Sequence, residues 1–277
     1  MLIASRLLST GTLLVNGTFD ETIQSTISTR ANLVLAGGFD EWTISGGAVA
    51  QRQNSNGNIQ LAGIFDEFTG APVVDSNLKL WLDAGQTTSY SGSGTTWTDL
   101  SGLGNNGTLV NGPTFSSTLG GGALVFNGTN QYATSTFATT SGQAVTYCGW
   151  LYSTESTATY RNFLDSISAR PMIWWNTSGQ IEFDAAYYTT TTVYRNQWVH
   201  VALSKPSGSS SAAYYVNGAL VGTGTAYTTP AATPTWFNRA AAQTWQGSCS
   251  LIQAYDRALS ADEIQTNFNA LRGRYGL

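Results

Sequence analysis

Short runs of alternating apolar and polar residues, separated by clusters of Gly, Asn and Ser, fill almost the whole chain. Two examples are "QIEFDAAY", which begins at Gln180, and "QWVHVALSK", which begins at Gln197. A period of two residues is typical of strands with one buried face, and many such runs predict a sandwich or barrel. Asn217 and Gly218 stand between two apolar runs and predict a tight hairpin.

One segment near the end departs from this pattern and predicts a helix. Ser260 is followed three residues later by Glu263, which is the spacing of a capping box. Ile264, Phe268 and Leu271 then recur on one helical face. The sequence therefore predicts one short helix after the last strand.

The charge balance excludes several classes of partner. Charged residues make up only 10% of the 277 residues, the net charge is −4 and lysine occurs only twice. No basic patch favours nucleic acid, and no apolar run of about 18 residues predicts insertion into a membrane. Cys148 and Cys249 both lie in strand-like segments, so two buried thiols and one disulfide both remain open.

The first seventy residues repeat one phrase three times, as "LVNGTFDE", "LAGGFDEW" and "LAGIFDEF". Each unit is a short alternating strand that passes a Gly and ends in Phe-Asp-Glu, and one such unit cannot bury its apolar face alone. We therefore expect residues 1–70 to be an assembly arm, with a small independent sheet acting as a spacer as the alternative. The predicted interface residues are Leu13, Leu33, Ile59, Phe19, Phe39 and Phe65.

The chain after a linker at residues 71–77 resembles the laminin-G-like, concanavalin A-like jelly-roll family. The phrases that carry the resemblance occur in the family's order: "LKLWLDAG", "WTDLSGLGNNGTLVNGPTF", "GGGALVFNGTNQY", "VTYCGWLY", "NQWVHVALS", "YYVNGALVGTG" and "IQAYDRALSADEI". The resemblance implies an all-β, two-sheet antiparallel jelly-roll sandwich over residues 78–277, preceded by the β-repeat arm and closed by a short helix. This fold hosts lectins, adhesion modules, glucanases and structural domains, so it does not fix the function.

The ending "NFNALRGRYGL" resembles the last residues of jelly-roll domains in virion proteins of tailed phages, especially marine ones. This resemblance implies a virion structural protein, either a capsid decoration or a fibre-like subunit. Its partners would be other virion proteins or further copies of itself, and the jelly roll would face outward at the virion surface to touch host glycans. The alternatives are a free, secreted lectin and, third, a glycoside hydrolase.

Sugar binding by such a sandwich uses aromatic faces together with amides. Adjacent aromatic residues on a strand direct one ring inward and one outward, and an outward ring can stack on a sugar. The alternative is that these rings belong to the core or to a subunit interface. The candidate residues are Trp174, Tyr187, Trp236, Asn238 and Trp245, with Trp175, Tyr188 and Gln243 as neighbouring choices.

The candidate catalytic residues are too few for hydrolysis. Glu182 and Asp184 share one face of a strand, but the further Glu that the glucanases of this fold place two or three residues on is replaced by Ala186 and Tyr187. Glycoside hydrolysis needs two carboxylates on either side of the bond, so we expect no enzyme activity. His200, the single histidine, has no ligand partner at metal spacing and is interpreted as an ordinary strand residue.

Calcium is the one cofactor that the family resemblance raises. Its two Gly/Asn loops correspond here to Asp99, Asn105 and Asn106, and then to Asn127 and Gln131. Amides replace the acidic residues at the last two positions, which lowers the expected affinity because an amide carries no charge. We expect no cofactor, with two alternatives: a structural calcium ion, or side chains that only hold turns.

Overall fold

A computed structural model describes residues 4–7, 12–16, 24–27, 32–36, 51–52, 59–61, 73–156, 159–166, 173–183, 188–209, 211–225, 228–237 and 243–277. The chain divides into two compact units, one of Met1–Val73 with Ala270–Leu277 and one of Val74–Asn269. The described side chains begin at residue 73.

Six short strands lie in the described part of the first unit. Their bounds are β1 Ala4–Leu7, β2 Thr12–Asn16, β3 Gln24–Ile27, β4 Asn32–Ala36, β5 Gln51–Arg52 and β6 Ile59–Leu61. β1 pairs with β3 and β2 with β4, both in parallel, while β6 pairs antiparallel with β4 and with β5. Leu13, Leu33 and Ile59 lie in β2, β4 and β6. Phe19, Phe39 and Phe65 lie outside the described residues, so the assembly contacts stay a prediction.

The described residues of the second unit form sixteen strands and most of the α-helix, whose last two residues are assigned to the first unit. The strand bounds are β7 Leu78–Asp83, β8 Thr96–Trp97, β9 Gly107–Val110, β10 Thr114–Ser116, β11 Ala123–Asn127, β12 Tyr132–Ser135, β13 Val145–Ser153, β14 Arg161–Ser166, β15 Ile173–Trp175, β16 Gln180–Phe183, β17 Tyr188–Val193, β18 Trp198–Lys205, β19 Ser211–Val216, β20 Ala219–Thr225, β21 Pro234–Trp236 and β22 Gln246–Tyr255. Helix α1 spans Ala261–Leu271, and short 3-10 turns occupy Leu119–Gly121 and Arg272–Tyr275.

These strands form two antiparallel sheets, as the alternation predicted. Sheet I has the order β10-β11-β22-β13-β18-β19-β20, with β7 also paired to β22. Sheet II has the order β17-β16-β15-β14-β21-β12-β9-β8. Each sheet combines hairpin pairs with strands distant in sequence, such as β11-β22-β13-β18 in sheet I and β14-β21-β12-β9 in sheet II, which is the crossing pattern of a jelly-roll sandwich.

The core lies between the inner faces of the two sheets and is rich in aromatic rings. Trp97, Trp175 and Trp236 are fully buried there. Phe163 of sheet II reaches across to β13, and a Cβ atom at Gly149 would lie 2.4 Å from its ring. Glycine at this position therefore lets the ring pack against the opposite strand.

Local signals in the sequence are confirmed at both the hairpin and the helix. Val216 pairs with Ala219, and both Asn217 and Gly218 have positive φ, as a tight hairpin turn requires. At the start of α1, Glu263 N–H donates to Ser260 Oγ, and Ser260 N–H donates to Glu263 Oε2 at 2.8 Å. These two hydrogen bonds are the predicted capping box.

The two cysteines are buried and form no disulfide with each other. Cys249 faces the core, whereas Cys148 belongs to the cluster on the outer side of sheet I. Side chains on opposite faces of one sheet cannot bridge, so the disulfide alternative is excluded and the two-thiol interpretation is confirmed.

Candidate functional site

Helix α1 lies on the outer face of sheet I. Ile264 joins Cys148, Ala202 and Tyr255 in a buried cluster on this face. Further along the helix, the Phe268 ring stacks on Trp150, with centroids 5.6 Å apart and planes at 16°. Helix α1 therefore covers this part of the outer face of sheet I.

The histidine of β18 lies under the same helix. The ring of His200 is 5.2 Å from Trp150 and 6.0 Å from Phe268, and it is completely buried. Its backbone pairs with Asn217, but neither ring nitrogen has a hydrogen-bond partner among the described residues. Burial lowers the pKa of His200 from its ordinary 6.5 to about 3, so the ring is neutral at physiological pH.

The outer face of sheet II carries a different arrangement, which we call the polar row. Strand register places Asn162 opposite Trp174, Trp174 opposite Glu182, and Glu182 opposite Thr189. Alternation explains the direction of these side chains, because the residues on either side of Trp174 and Glu182 belong to the core. Directly opposed side chains have Cβ atoms about 4.5–5.5 Å apart, so the four residues form one continuous line.

The turn after β15 fixes the carboxylate of the polar row. Asn176 Oδ1 accepts hydrogen bonds from the backbone N–H groups of Ser178 and Gln180. With its oxygen occupied in this way, the Asn176 amide directs Nδ2 to Glu182 Oε1 at 2.9 Å. The "NTSGQ" segment, which begins at Asn176, thus both forms the turn between β15 and β16 and holds Glu182.

The other end of the polar row is an amide with one unused atom. Asn162 is fully buried and donates from Nδ2 to the backbone oxygen of Gln243 at 3.3 Å. Its Oδ1 is buried and has no hydrogen-bond partner among the described residues. A buried acceptor without a partner is costly in a folded protein, so it marks a position where a donor from outside the chain would be stabilising.

Aromatic surface borders the same line of residues. Trp174 is 9% exposed, and the Tyr160 ring packs on it with centroids 5.0 Å apart and planes at 46°. A tryptophan, a tyrosine, two amides and a carboxylate on one face can bind a hydroxyl-rich ligand by stacking and by hydrogen bonding.

The structure sorts the predicted sugar-binding residues into three groups. Trp174 faces outward and its neighbour Trp175 inward, as the alternation predicted. Tyr187 and Asn238 lie outside the described residues. Trp236 and Trp245 have no exposed surface: Trp236 packs edge-on against Tyr147 and Trp245 against Trp175. The expectation of an outward ring at these two positions is therefore wrong, because both rings belong to the core.

Sequence reasoning missed part of the site. Asn162, Tyr160 and Asn176 were not among the sugar-binding candidates, and Glu182 was considered only as half of a catalytic pair. Glu182 points away from the core, to which its neighbours Ile181 and Phe183 belong, while Asp184 lies outside the described residues. The available signal was the alternation in "YRNFL" and "IEF", which directs Asn162 and Glu182 to the outer side; their alignment with Trp174 depends on register between distant strands.

The loops proposed for calcium are held by hydrogen bonds. Asp99 Oδ1 accepts from the backbone N–H groups of Trp81 and Ser101, and Oδ2 accepts from Ser101 Oγ and from the Asn105 N–H. These four bonds use the lone pairs that a calcium ion would need. This geometry agrees with the alternative in which the Asp99 side chain holds a turn and binds no ion.

An amide joins the second pair of loops. Gln131 Oε1 accepts from the Asn127 N–H, and Gln131 Nε2 donates to the backbone oxygens of Asn111 and Gly112. A carboxylate at this position could not make the last two bonds, because it has no N–H to donate. The described residues contain no group of three or more His, Cys, Asp or Glu side chains that could hold a metal ion. Among the same residues, no helix is long and apolar enough to cross a membrane.

Comparison with solved structures supports the fold. A Trypanosoma rangeli sialidase mutant with trans-sialidase activity aligns with a TM-score of 0.55 and 16% identity over 74% of this chain, which spans 35% of the sialidase. Domain 4 of an extracellular arabinanase from Geobacillus stearothermophilus, in complex with arabinotriose, aligns with a TM-score of 0.51 and 18% identity, covering 70% of this chain and 98% of that domain. The ligand-binding domain of botulinum neurotoxin serotype D, in complex with N-acetylneuraminic acid, aligns with a TM-score of 0.53 and 11% identity. The alignment covers 70% of this chain and 51% of the neurotoxin chain.

Comparison of the sequence gives the family. A search of curated proteins finds no match. The family model described as "Concanavalin A-like lectin/glucanases superfamily" matches residues 127–265, which is just over half of the 277 residues and includes the whole polar row. The chain therefore belongs to the concanavalin A-like lectin/glucanase superfamily.

Proposed function

We propose that this protein binds glycans and that the polar row on the outer face of sheet II is its binding site. The observation that carries the proposal is the buried, unpartnered Oδ1 of Asn162 beside the outward Trp174. A sugar has hydroxyl groups that can donate a hydrogen bond to Asn162 Oδ1. It also has an apolar C–H face that can stack on the Trp174 ring. The structural neighbours bound to arabinotriose and to N-acetylneuraminic acid agree with a binding role for this fold.

A glycan array followed by calorimetry tests this proposal. We expect the full chain to bind members of the array, and Trp174→Leu to weaken that binding by at least about tenfold because the stacking face is lost. Trp198→Leu is the matched control, since Trp198 is another strand tryptophan that packs on a tyrosine, Tyr152 of sheet I. Equal weakening in both variants, with native circular dichroism, would contradict the assignment of the site.

We also propose that binding is not followed by hydrolysis. The polar row contains one carboxylate, Glu182, whereas both retaining and inverting glycosidases use two. The expected result is that purified protein releases no reducing sugar from a glucan or an arabinan. Release that Glu182→Gln abolishes would restore the glycosidase alternative.

For the biological setting, we propose a tailed-phage virion in which residues 1–70 dock the protein and the sandwich faces outward at the particle surface. The support is the threefold phrase in the first seventy residues, together with the resemblance of "NFNALRGRYGL" to phage jelly-roll proteins. A free, secreted lectin is the alternative.

Replacing Phe19, Phe39 and Phe65 together by Ala tests the docking role. We expect the triple variant to lose association, measured by co-sedimentation with particles or by light scattering. Each lost ring removes about 3–5 kcal/mol where a buried site cannot collapse. Retained association together with a lower melting temperature would show that the three phenylalanines stabilise the fold and do not dock it.

A further inference from the structure

The hydrogen-bonding capacity of the polar row is biased toward acceptors. Asn162 Nδ2 is directed to the Gln243 backbone oxygen, so the amide cannot turn over without bringing two oxygens together. Its Oδ1 is therefore the atom left for a ligand. At the other end, Asn176 donates to Glu182 because its own oxygen already accepts two backbone N–H groups.

Glu182 adds a negative charge to this acceptor surface. The side chain is 6% exposed and, among the described residues, its carboxylate accepts the single hydrogen bond from Asn176. A carboxylate can only accept hydrogen bonds, and its charge acts strongly at short range where water is largely excluded. The site thus favours ligands that bring O–H donors and disfavours ligands that bring a second anion.

Two arginines lie on elements next to the polar row and outside its four residues. Arg161 is buried and donates to Glu155, to the backbone oxygens of Gly128 and Thr244, and to Gln246 Oε1. Arg195 donates from Nη2 to the backbone oxygen of Thr177, on the turn after β15, and its Nε has no hydrogen-bond partner among the described residues. Recognition of a ligand carboxylate by a protein ordinarily uses such a guanidinium, and the polar row itself contains none.

From these contacts we infer that the polar row selects neutral, hydroxyl-rich glycans and discriminates against glycans that end in sialic acid. The inference rests on the glycan-binding function proposed above and specifies its ligand class. Hydroxyl groups donate to Asn162 Oδ1 and to Glu182, while a sialic acid carboxylate meets Glu182 with no cationic side chain among the four residues of the polar row. This preference is opposite to that of the neurotoxin domain, which was solved with N-acetylneuraminic acid.

Paired glycans test the inference on the full chain. The array carries each neutral core, such as lactose or an arabinan oligomer, beside the same core capped with sialic acid. We expect neutral members to bind at least about tenfold more tightly than their capped partners, because like charges in a partly dry site repel. Glu182→Gln keeps the shape and removes the charge, so this ratio is expected to fall to within about threefold.

A control and three outcomes make the result decisive. Asp262→Asn removes the same unit of charge from an exposed position in α1, and it is expected to leave the ratio unchanged. Tighter binding of the capped glycans by the wild-type chain would overturn the inference and leave the glycan-binding function standing. An unchanged ratio in Glu182→Gln would also overturn it, because discrimination would then come from elsewhere. Binding to neither series by a folded chain would refute the proposed function itself.

Discussion

Both outer faces of the sandwich carry a tryptophan beside a polar residue on the next strand. On sheet I, Trp150 lies opposite His200, and Phe268 of helix α1 stacks on Trp150 and packs at a tilt against His200. On sheet II, Trp174 lies opposite Glu182, and the ring packed on it is Tyr160, which directly precedes β14 in the chain. The same two-residue alternation thus produces one face that a helix occupies and one that holds a carboxylate and an unpartnered amide oxygen. Similar strand sequences can serve stability or recognition, according to what lies over them.

The two rings that pack on these tryptophans provide the largest test of this difference. We expect Phe268→Ala to lower the free energy of unfolding by about 3–5 kcal/mol, since a buried ring leaves a cavity under the helix. Tyr160 is only partly buried, so Tyr160→Ala should cost about 1 kcal/mol. Urea unfolding measures both variants.

Glycan binding by the same two variants should show the reverse order. Tyr160→Ala is expected to weaken binding, because the ring borders the polar row, and Phe268→Ala should leave the affinity of the folded fraction unchanged. If Phe268→Ala abolished binding in protein that remains folded, the two faces would not be functionally distinct.

The comparison also shows how far the sequence reaches. Alternation correctly predicted that one ring of the Trp174–Trp175 pair faces inward and the other outward, and local chemistry correctly predicted the Asn217–Gly218 hairpin and the Ser260–Glu263 cap. These features depend on neighbours within a few residues.

The parts that were missed depend on contacts between distant segments. Asn162 and Trp174 become neighbours only through pairing of β14 with β15, and a register shift between Asn162 and Leu164 alters the alternation there. Trp245 precedes β22 and packs on Trp175, which lies 70 positions earlier in the chain. Neither placement can be obtained from periodicity, because strand register and core packing are tertiary properties.

The covered face is predicted to be acid-sensitive. Because the pKa of His200 falls from 6.5 to about 3 on folding, the unfolded chain binds a proton between these values that the folded chain does not. The histidine's contribution to stability is therefore present above pH 6.5 and is lost as the pH falls toward 3. Between pH 7 and pH 5 we expect a decrease of about 2 kcal/mol in the free energy of unfolding.

His200→Phe identifies the source of this decrease. The Phe ring fits the aromatic environment of Trp150 and Phe268 and cannot titrate, so the variant should lose most of the pH dependence above pH 5. Glu263 does not interfere in this window, because its pKa is lowered from 4.5 to about 2, chiefly by Arg257, and its contribution is lost only as the pH falls below 4.5. A wild-type slope that persists in His200→Phe would refute the explanation.

A smaller effect is expected at the start of helix α1. Ser260→Ala removes the acceptor for the Glu263 N–H, and loss of such a cap costs about 1 kcal/mol. Urea unfolding should show this decrease in the free energy of unfolding. Glycan affinity should not change, since helix α1 lies on sheet I and the polar row lies on sheet II. Ser178→Ala is a suitable control on the other sheet: the Asn176 contact is made by the backbone N–H of Ser178, so this variant should lose almost no stability.

Calcium is expected to have the smallest effect, on either face. The lone pairs of Asp99 are engaged by four hydrogen bonds, and the Gln131 amide joins the loops with one accepted and two donated bonds. An ion would have to displace these bonds and would gain no second carboxylate in exchange, because Asn127 and Gln131 are amides. Glycan binding at the polar row should therefore be the same in millimolar calcium and in excess EDTA, and the melting temperature should agree within error. Magnesium serves as the control for ionic strength. A melting temperature that rises with calcium but not with magnesium would show that the ion binds the folded state and that these hydrogen bonds give way to it.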